Sequence, residues 1–323
     1  MSLPDDRLLD LDIVICTFHR EELLANALAS VSAQSCPPGL QVRVVVVDNS
    51  DEGTAEQVVA IAGQNSPFEM IWIAAHPANI SVARNAGVAA AQGTYLAFMD
   101  DDQTMVAGWL SAVATALHDF PYDAHFGAIE STFEAPGQAT AMARKLFSRQ
   151  LDAPRGHELV AMGPNKTSGL TLGTGNSVLR RSSMLLDGVP FDSAYGHGGG
   201  EDYDLFCRMQ SRGCRFGWLP DARMVEIVPA SRCNTGYLRH RFYAGGQAFA
   251  AVVANTKANP FVARWWLRGR ALVQAGLLAV QLPLYLLRGR DAFIDYTYVW
   301  AGVLGKLSFG GISPHYRRPV KHQ

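Results

Sequence analysis

The sequence predicts an α/β fold: a mainly parallel sheet with flanking helices, followed by a C-terminal helical segment. Three observations predict it. Short apolar runs alternate with helix-like stretches across the first hundred residues, the pattern of βαβ units. Residues 42–47 are nearly all valine, which suits a strand buried on both faces. Residues 271–287 carry no charge and are bracketed by Arg270 and Arg288.

The elements follow in order. Ile13-Val14-Ile15-Cys16 is a first strand, and residues 21–34 read as a helix. The valine strand ends in the polar turn Asp48-Asn49-Ser50-Asp51-Glu52-Gly53, ahead of a helix over 54–62. Residues 70–74 make a third strand, 79–91 a helix, and 95–99 a fourth strand ending at Asp100. Ligands of such sheets sit beyond the carboxyl ends of the strands. Cys16, Thr17, Asp48 and the triplet Asp100-Asp101-Asp102 all fall at those ends, so they are expected to face one crevice. Residues 120–200 are irregular and rich in Gly, Pro and Thr, with loops at 163–169 and 196–200. Residues 202–212 read as a helix with Gly213 just past its end, and 234–255 as a long helix.

The tail differs from the rest. The formal net charge of the 323 residues is −1, but residues 260–323 hold nine Lys/Arg and two acids, a net +7, which leaves −8 on residues 1–259. A membrane-spanning helix needs about 20 apolar residues. The uncharged run 271–287 is at the lower limit and contains Gln274, Gln281 and Pro283. A second uncharged run covers 296–305, and Trp265, Trp266, Tyr285, Tyr296, Tyr298 and Trp300 would serve as interfacial aromatics. The expectation is a set of helices lying in, or re-entering, an anionic membrane surface with Arg/Lys at headgroup depth. Soluble core helices or an oligomer surface are the alternative. Nucleic acid is not an expected partner. The five cysteines, Cys16, Cys36, Cys207, Cys214 and Cys233, include no C-x-x-C pair and read as reduced thiols of a cytosolic protein. Residues 1–12 are acidic with no apolar stretch, so no secretory signal is expected.

Several residues carry chemistry. Three successive carboxylates at a strand end repel one another unless a cation neutralises them, and carboxylate oxygens with water suit Mg²⁺ or Mn²⁺, which also take phosphate oxygens. A solvated acidic turn is the alternative. Glu201-Asp202 follows Gly198-Gly199-Gly200, where glycine lets the backbone approach a ligand. A carboxylate there would act as a general base or simply cap a helix. Asp48 would accept a hydrogen bond from a base or sugar, or close an Asx turn. Arg84, on an otherwise apolar helix, would pair with a phosphate or one of these acids, or be a surface charge.

Together these residues resemble the family 2 glycosyltransferases, over roughly residues 10 to 245. The resemblance rests on Ile13-Val14-Ile15-Cys16-Thr17-Phe18-His19-Arg20, Val45-Val46-Val47-Asp48-Asn49-Ser50, Ser81-Val82-Ala83-Arg84-Asn85-Ala86-Gly87, Ala97-Phe98-Met99-Asp100-Asp101-Asp102 and Gly199-Gly200-Glu201-Asp202-Tyr203-Asp204-Leu205, in register. Met224 to Arg232 and the basic-flanked tail are similar to the bacterial exopolysaccharide, succinoglycan-type, glucosyltransferases. The resemblance implies a GT-A, Rossmann-like, domain over 1–258, with a nucleotide-binding half over 10–120 and an acceptor half over 121–258. The basic amphipathic tail over 259–323 would be the membrane-interface region.

The same resemblance implies site roles. Thr17 and Asp48 would contact the nucleotide base, with Phe18, Arg20, Arg84 and Asp101 in the same donor-binding set. Asp100 and Asp102 match the outer acids of a D-x-D motif that holds the ribose and a diphosphate-bound Mn²⁺ or Mg²⁺. Asp202 matches the catalytic base, with Glu201 beside it on the acceptor, and Asn176, in Gly173-Thr174-Gly175-Asn176, falls near the donor sugar. Glu226 stands where many members have a metal-binding histidine. The implied reaction is inverting transfer of a hexose from a nucleotide sugar, such as UDP-glucose, by single displacement. The implied acceptor is a polyprenyl-diphosphate-linked oligosaccharide at the cytoplasmic face of a bacterial inner membrane. A sugar nucleotidyltransferase is the runner-up, but its Gly-rich phosphate loop is replaced by Thr17-Phe18-His19-Arg20. A non-catalytic transferase-like subunit is the third reading, opposed by intact Asp100, Asp102 and Asp202.

Overall fold

A computed structural model describes residues 8–314. Residues 1–7, and with them most of the acidic start, lie outside the described residues, as do Arg317, Arg318 and Lys321 of the basic tail. The first half alternates as the sequence predicts: β1 (Leu9–Thr17), α1 (Glu21–Ser32), β2 (Leu40–Asp48), α2 (Ala55–Gln64), β3 (Glu69–Ala74), α3 (Ile80–Ala90) and β4 (Tyr95–Asp100). β2 pairs in parallel with β1 and β3, and β1 in parallel with β4. Strand side chains point alternately to opposite faces. Leu11, Ile13, Ile15, Val44 and Val46 therefore pack on one face against α1 and α2. Val14, Val45 and Val47 pack on the other, against α3. The valine run is buried on both sides because its strand is central and both faces carry helices.

The second half contains more strand than the sequence suggests. β5 (Gln103–Met105), α4 (Trp109–Asp119), β6 (Ala124–Phe133), a short 3₁₀ turn (Pro136–Gln138), α5 (Ala141–Phe147), β7 (Glu158–Leu159), β8 (Ser177–Arg180), α6 (Arg181–Met184), α7 (Glu201–Ser211) and β9 (Phe216–Val228) follow. They extend the sheet to the order β3-β2-β1-β4-β8-β6-β9-β5, with β7 on β9. β8 is antiparallel to β4 and β6, while β6 and β9 are parallel. β9 is hidden in the sequence because Pro220 and Asp221 interrupt it. Its register against β6 jumps there, from Leu219 opposite Gly127 to Met224 opposite Ile129, as expected where proline enters a strand.

α8 (Ala230–Cys233), α9 (Thr235–Asn255), α10 (Pro260–Leu287) and α11 (Arg290–Leu307) close the chain. Here the expected division at 258 differs from the packing. α11 lies directly on α9: a Cβ on Gly305 would meet the Tyr243 carbonyl at 2.0 Å, and one on Gly246 the Gly302 carbonyl at 2.1 Å. Tyr298 is fully buried and stacks on Phe242 with ring centres 5.5 Å apart. Tyr296 is buried and donates its hydroxyl to the Leu278 carbonyl at 2.9 Å. The second uncharged run is thus helix–helix core, and Tyr296 and Tyr298 are not interfacial aromatics. α10 is the outer helix. It is long and apolar enough to cross a membrane by length and composition, with a mean hydropathy of 1.4 over its most apolar 18 residues. Trp265, Trp266, Val273, Leu277 and Val280 are exposed on it.

Candidate active site

The carboxyl ends of the parallel strands meet in register: Thr17 lies opposite Asp48, and Cys16 opposite Asp100. Beyond them opens a cavity of about 400 Å³. Thr17, Phe18 and Arg20 line it from the β1–α1 turn, Arg84 from α3, Asp100 to Asp102 from the end of β4, Asp202 from α7 and Glu226 from β9.

The acids are held by named cations. Asp101 is buried, and accepts hydrogen bonds from Thr17 Oγ1 and Arg20 Nη1, both at 2.8 Å. Burial pushes its carboxyl up to about 6 against the pull of Arg20. Asp102 Oδ2 is shared by Arg20 Nη1 at 3.3 Å and Arg232 Nη1 at 3.1 Å. Asp100 is half-exposed on the cavity floor, with Arg84 Nη2 at 3.9 Å. The protein crowding around it raises its pKa, Arg84 opposes, and Asp102 adds to the rise. Glu226 lies opposite Gln103 across β5 and β9, and Gln103 Nε2 donates to it at 3.4 Å. Burial, then the charges of Asp102 and Asp100, lift Glu226 to about 8.

Three of the expected residues sit behind the cavity wall. Asp48 is fully buried and closes an Asx turn, accepting from Ser50 N–H at 2.9 Å, Ser50 Oγ at 2.7 Å and Ala55 N–H at 2.9 Å. Burial alone would raise its pKa, but these hydrogen bonds hold it below the usual carboxylate range. Its neighbour Asn49 lines the cavity instead. Glu201 is 1% exposed and paired with Arg84 Nη1 rather than open to an acceptor. Burial lifts it to about 7 against the pull of Arg84. Asn176 is buried: its Oδ1 accepts from Trp109 Nε1 at 2.9 Å, and its Nδ2 donates to the Ala128 and Ala222 carbonyls. It anchors the loop rather than facing a sugar.

Arg149 is one of the residues that sequence reasoning missed. It lines the cavity, yet its guanidinium donates to four main-chain carbonyls, those of Gly127, Gly173, Gly175 and Asn176, at 2.6–3.3 Å. Burial pushes it down to about 10, while Asp100, Asp202 and Glu226 pull the other way. It pins loop 173–175 between two acids. A Cβ on Gly175 would come 2.5 Å from Asp100 Oδ2, and one on Gly173 would come 3.2 Å from Asp202 Oδ2. The only sequence signal was the Gly-Thr-Gly run, whose carbonyls need a donor once buried. Arg232, Tyr237 and Arg241 also line the cavity from α8 and α9. Gly175→Ala should still fold, with a lowered melting temperature, because the buried Gln103, whose Nε2 would lie 2.8 Å from the added Cβ, must yield together with the tip of Asp100. Turnover should fall on the order of 10²-fold, since a displacement of about 1 Å suffices for that. Parallel thermal melts and rate measurements check it.

Among the described residues, no group of three or more His, Cys, Asp or Glu side chains is placed to enclose a metal ion. Asp100, Asp102 and Glu226 still supply hard oxygens in one place, and burial, with the neighbouring carboxylate charges adding to it, raises both Asp100 and Glu226. That donor set fits a divalent cation that takes most of its ligands from a bound phosphate and water.

Comparison with known proteins agrees with this architecture. The family model for glycosyl transferase family 2 matches residues 12–182. The chain is 31% identical over 263 residues to the succinoglycan biosynthesis protein ExoM of Rhizobium meliloti (strain 1021), covering 81% of each. It is 28% identical over 225 residues to a pre-mycofactocin glycosyltransferase of Mycobacterium tuberculosis, covering 68% of this chain and 45% of that one. Among solved structures it is similar to S. aureus TarS 1–349 in complex with UDP-GlcNAc, with a TM-score of 0.57, 16% identity, and 79% and 70% of the two chains covered. It is also similar to the mannosyltransferase PcManGT of Pyrobaculum calidifontis in complex with GDP-Man and Mn²⁺, with a TM-score of 0.56, 18% identity, and 92% and 86% covered. The fold is GT-A-like. The chain belongs to glycosyl transferase family 2.

Proposed function

We propose that this protein is an inverting hexosyltransferase that moves a sugar from a UDP-hexose to a lipid-linked oligosaccharide in exopolysaccharide biosynthesis. The observation that carries the reading is loop 173–175, which sets Asp100 and Asp202 at its two ends within one cavity. A donor lying along the loop would have its diphosphate near Asp100, Arg84 and Arg232 and its anomeric carbon near Asp202. Asp202 Oδ1 accepts from the Tyr203 N–H at 2.7 Å, which fixes the carboxylate, while Oδ2 lies on the Gly173 side. Asp202 takes the proton of the acceptor hydroxyl as its oxygen attacks the anomeric carbon opposite the diphosphate. A single displacement inverts that carbon, so an α-linked donor gives a β-linked product. Asp100 and Asp102, with Glu226 behind them, would hold Mn²⁺ or Mg²⁺. When bound, such an ion supplies charge compensation to the departing diphosphate. Arg84 and Arg232 add fixed positive charge at the same end.

The membrane-facing part of the reading rests on α10. Val280 is 80% exposed and Trp266 58%, and Arg264, Arg268 and Arg270 precede the apolar stretch while Arg288 and Arg290 follow it. α10 leans on α11, which carries Asp291, Asp295 and Lys306. That pairing favours a helix lying in the cytoplasmic leaflet over one crossing it.

The test is thermal stability and UDP release with UDP-glucose, UDP-galactose, UDP-glucuronate and GDP-mannose, with and without Mn²⁺. Stabilisation by a UDP-sugar that requires Mn²⁺, with release of UDP, is the expected result. No response to any UDP-sugar, or synthesis of a nucleotide sugar from UTP and a sugar phosphate, would overturn it. In sedimentation with anionic vesicles, the full chain should bind at low salt and release as salt rises.

A further inference from the structure

A second concavity, a groove of about 740 Å³, runs between α9, α10 and α11, away from the nucleotide cavity. Its walls are largely apolar, formed by Phe249, Trp266, Ala271, Val273 and Leu277. Val273, Leu277 and Val280 are spaced to share one face of α10, and all three are exposed, so the apolar track continues out of the groove along the helix.

The head of the groove is cationic. Lys306 Nζ donates to Gln274 Oε1 at 3.1 Å and lies 5.4 Å from the centre of the Phe249 ring. Phe249 stacks on Tyr203 with ring centres 6.1 Å apart. Lys166 Nζ lies 5.3 Å from the centre of the Tyr203 ring. Two ammonium groups thus flank a stacked aromatic pair, and Arg270 stands at the same groove. Burial, then the charges of Arg270 and Lys166, push the Lys306 ammonium down, with no carboxylate offsetting them. Cation–aromatic contacts return little of that cost, and the like charges of Arg270 and Lys306 on one apolar groove are best satisfied by an anion. Lys166 belongs to loop 163–169, for which the nucleotide cavity has no use. Tyr203 directly follows Asp202 and donates its N–H to that carboxylate. The ladder from Lys306 through Phe249 and Tyr203 therefore ends at the proposed base.

We propose that this groove binds the lipid part of the acceptor, a phosphorylated long-chain lipid. Its anionic head sits among Lys166, Arg270 and Lys306, and its hydrocarbon lies along the apolar face of α10. The head, held there, delivers the attached sugar to Asp202. This assignment rests on the glycosyl-transfer reading of the main cavity and adds the acceptor's binding site to it.

The test uses the full chain in non-ionic detergent with UDP saturating, and labelled farnesyl diphosphate as probe. The probe should bind, with farnesol, inorganic diphosphate and phosphatidylglycerol each competing at least about tenfold more weakly. The double change Lys166→Ala/Lys306→Ala, and separately Val273→Glu at an exposed position, should each weaken the probe by about tenfold or more and leave UDP binding unchanged. Equal competition by diphosphate, farnesol or phosphatidylglycerol would overturn the assignment, as would unchanged binding by both variants. Bound UDP without bound probe would sink the groove alone, whereas failure to bind UDP would sink the transfer reading with it.

Discussion

Asp202→Asn is expected to lower the rate of sugar transfer by about 10³-fold while UDP binding stays intact. Asparagine keeps the shape of the side chain and an oxygen for the Tyr203 N–H, so the start of α7 is preserved. It loses the capacity to take a proton. The lost interaction of its charge with the helix N-terminus costs only about 0.3–1 kcal/mol, so the melting temperature should barely move. The nucleotide is proposed to lie on Thr17, Arg20, Arg84 and the Asp100 end of the loop, which line the same cavity and are not altered. UDP release and UDP-induced stabilisation, measured on the same preparation, separate chemistry from binding. Turnover near that of the unaltered protein would remove Asp202 from the role of base.

How far the sequence reaches can be judged from particular residues. The first four strands and their helices are legible because local pattern and tertiary fate agree: the valine run is buried on both faces, and β1 and β4 end in Thr17 and Asp100 at the cavity. Asp100, Asp102 and Asp202 are legible for the same reason, since each sits at or just past a strand end or a glycine turn. β9 is not, because Pro220 and Asp221 break its pattern and its pairing with β6 is nonlocal. Arg149 and Arg232 reach the cavity from sequence positions far from the acids they face, and no spacing announces them. Asp48, Glu201 and Asn176 show the opposite failure. Each sits at a position that chemistry favours, yet an oxygen of each is held inside the wall, by Ser50, Arg84 and Trp109 respectively. The tail divides on the same principle. An uncharged run says that a helix can be buried, not what buries it; α11 is covered by α9, and α10 is left exposed.

Arg84→Leu should cost about 1.4 kcal/mol of stability at pH 8, the limit set by holding a proton one pH unit above the unaltered protein's value of about 7. Glu201 is 1% exposed, and its Oε2 has no hydrogen-bond partner, so Arg84 is what compensates its charge. The sign of the pH dependence follows from the raised pKa. In the folded protein Glu201 titrates near 7, above its ordinary value of 4.5, with Arg84 pulling it down and burial, then Asp202, pushing it up. Its contribution to stability is complete below pH 4.5 and is lost as pH rises through about 7. Removing Arg84 takes away the downward pull, so the folded-state pKa climbs further and the loss extends to higher pH. At pH 5 the variant's Glu201 is protonated and needs no cation, and the destabilisation should be small. By pH 8 the chain must either bury a bare carboxylate or bind a proton against the solvent. Adding Glu201→Gln should return most of the lost stability at pH 8 and flatten the difference between the two pH values. Denaturant unfolding of the unaltered protein, Arg84→Leu and the double variant at pH 5 and pH 8 measures this directly. Activity is not the readout, because Arg84 also stands 3.9 Å from Asp100 on the cavity floor. Equal destabilisation at both pH values, or a double variant no more stable than Arg84→Leu, would mean that Arg84 supports the fold by packing, through its contact 5.6 Å from the centre of the Phe191 ring, rather than by neutralising Glu201.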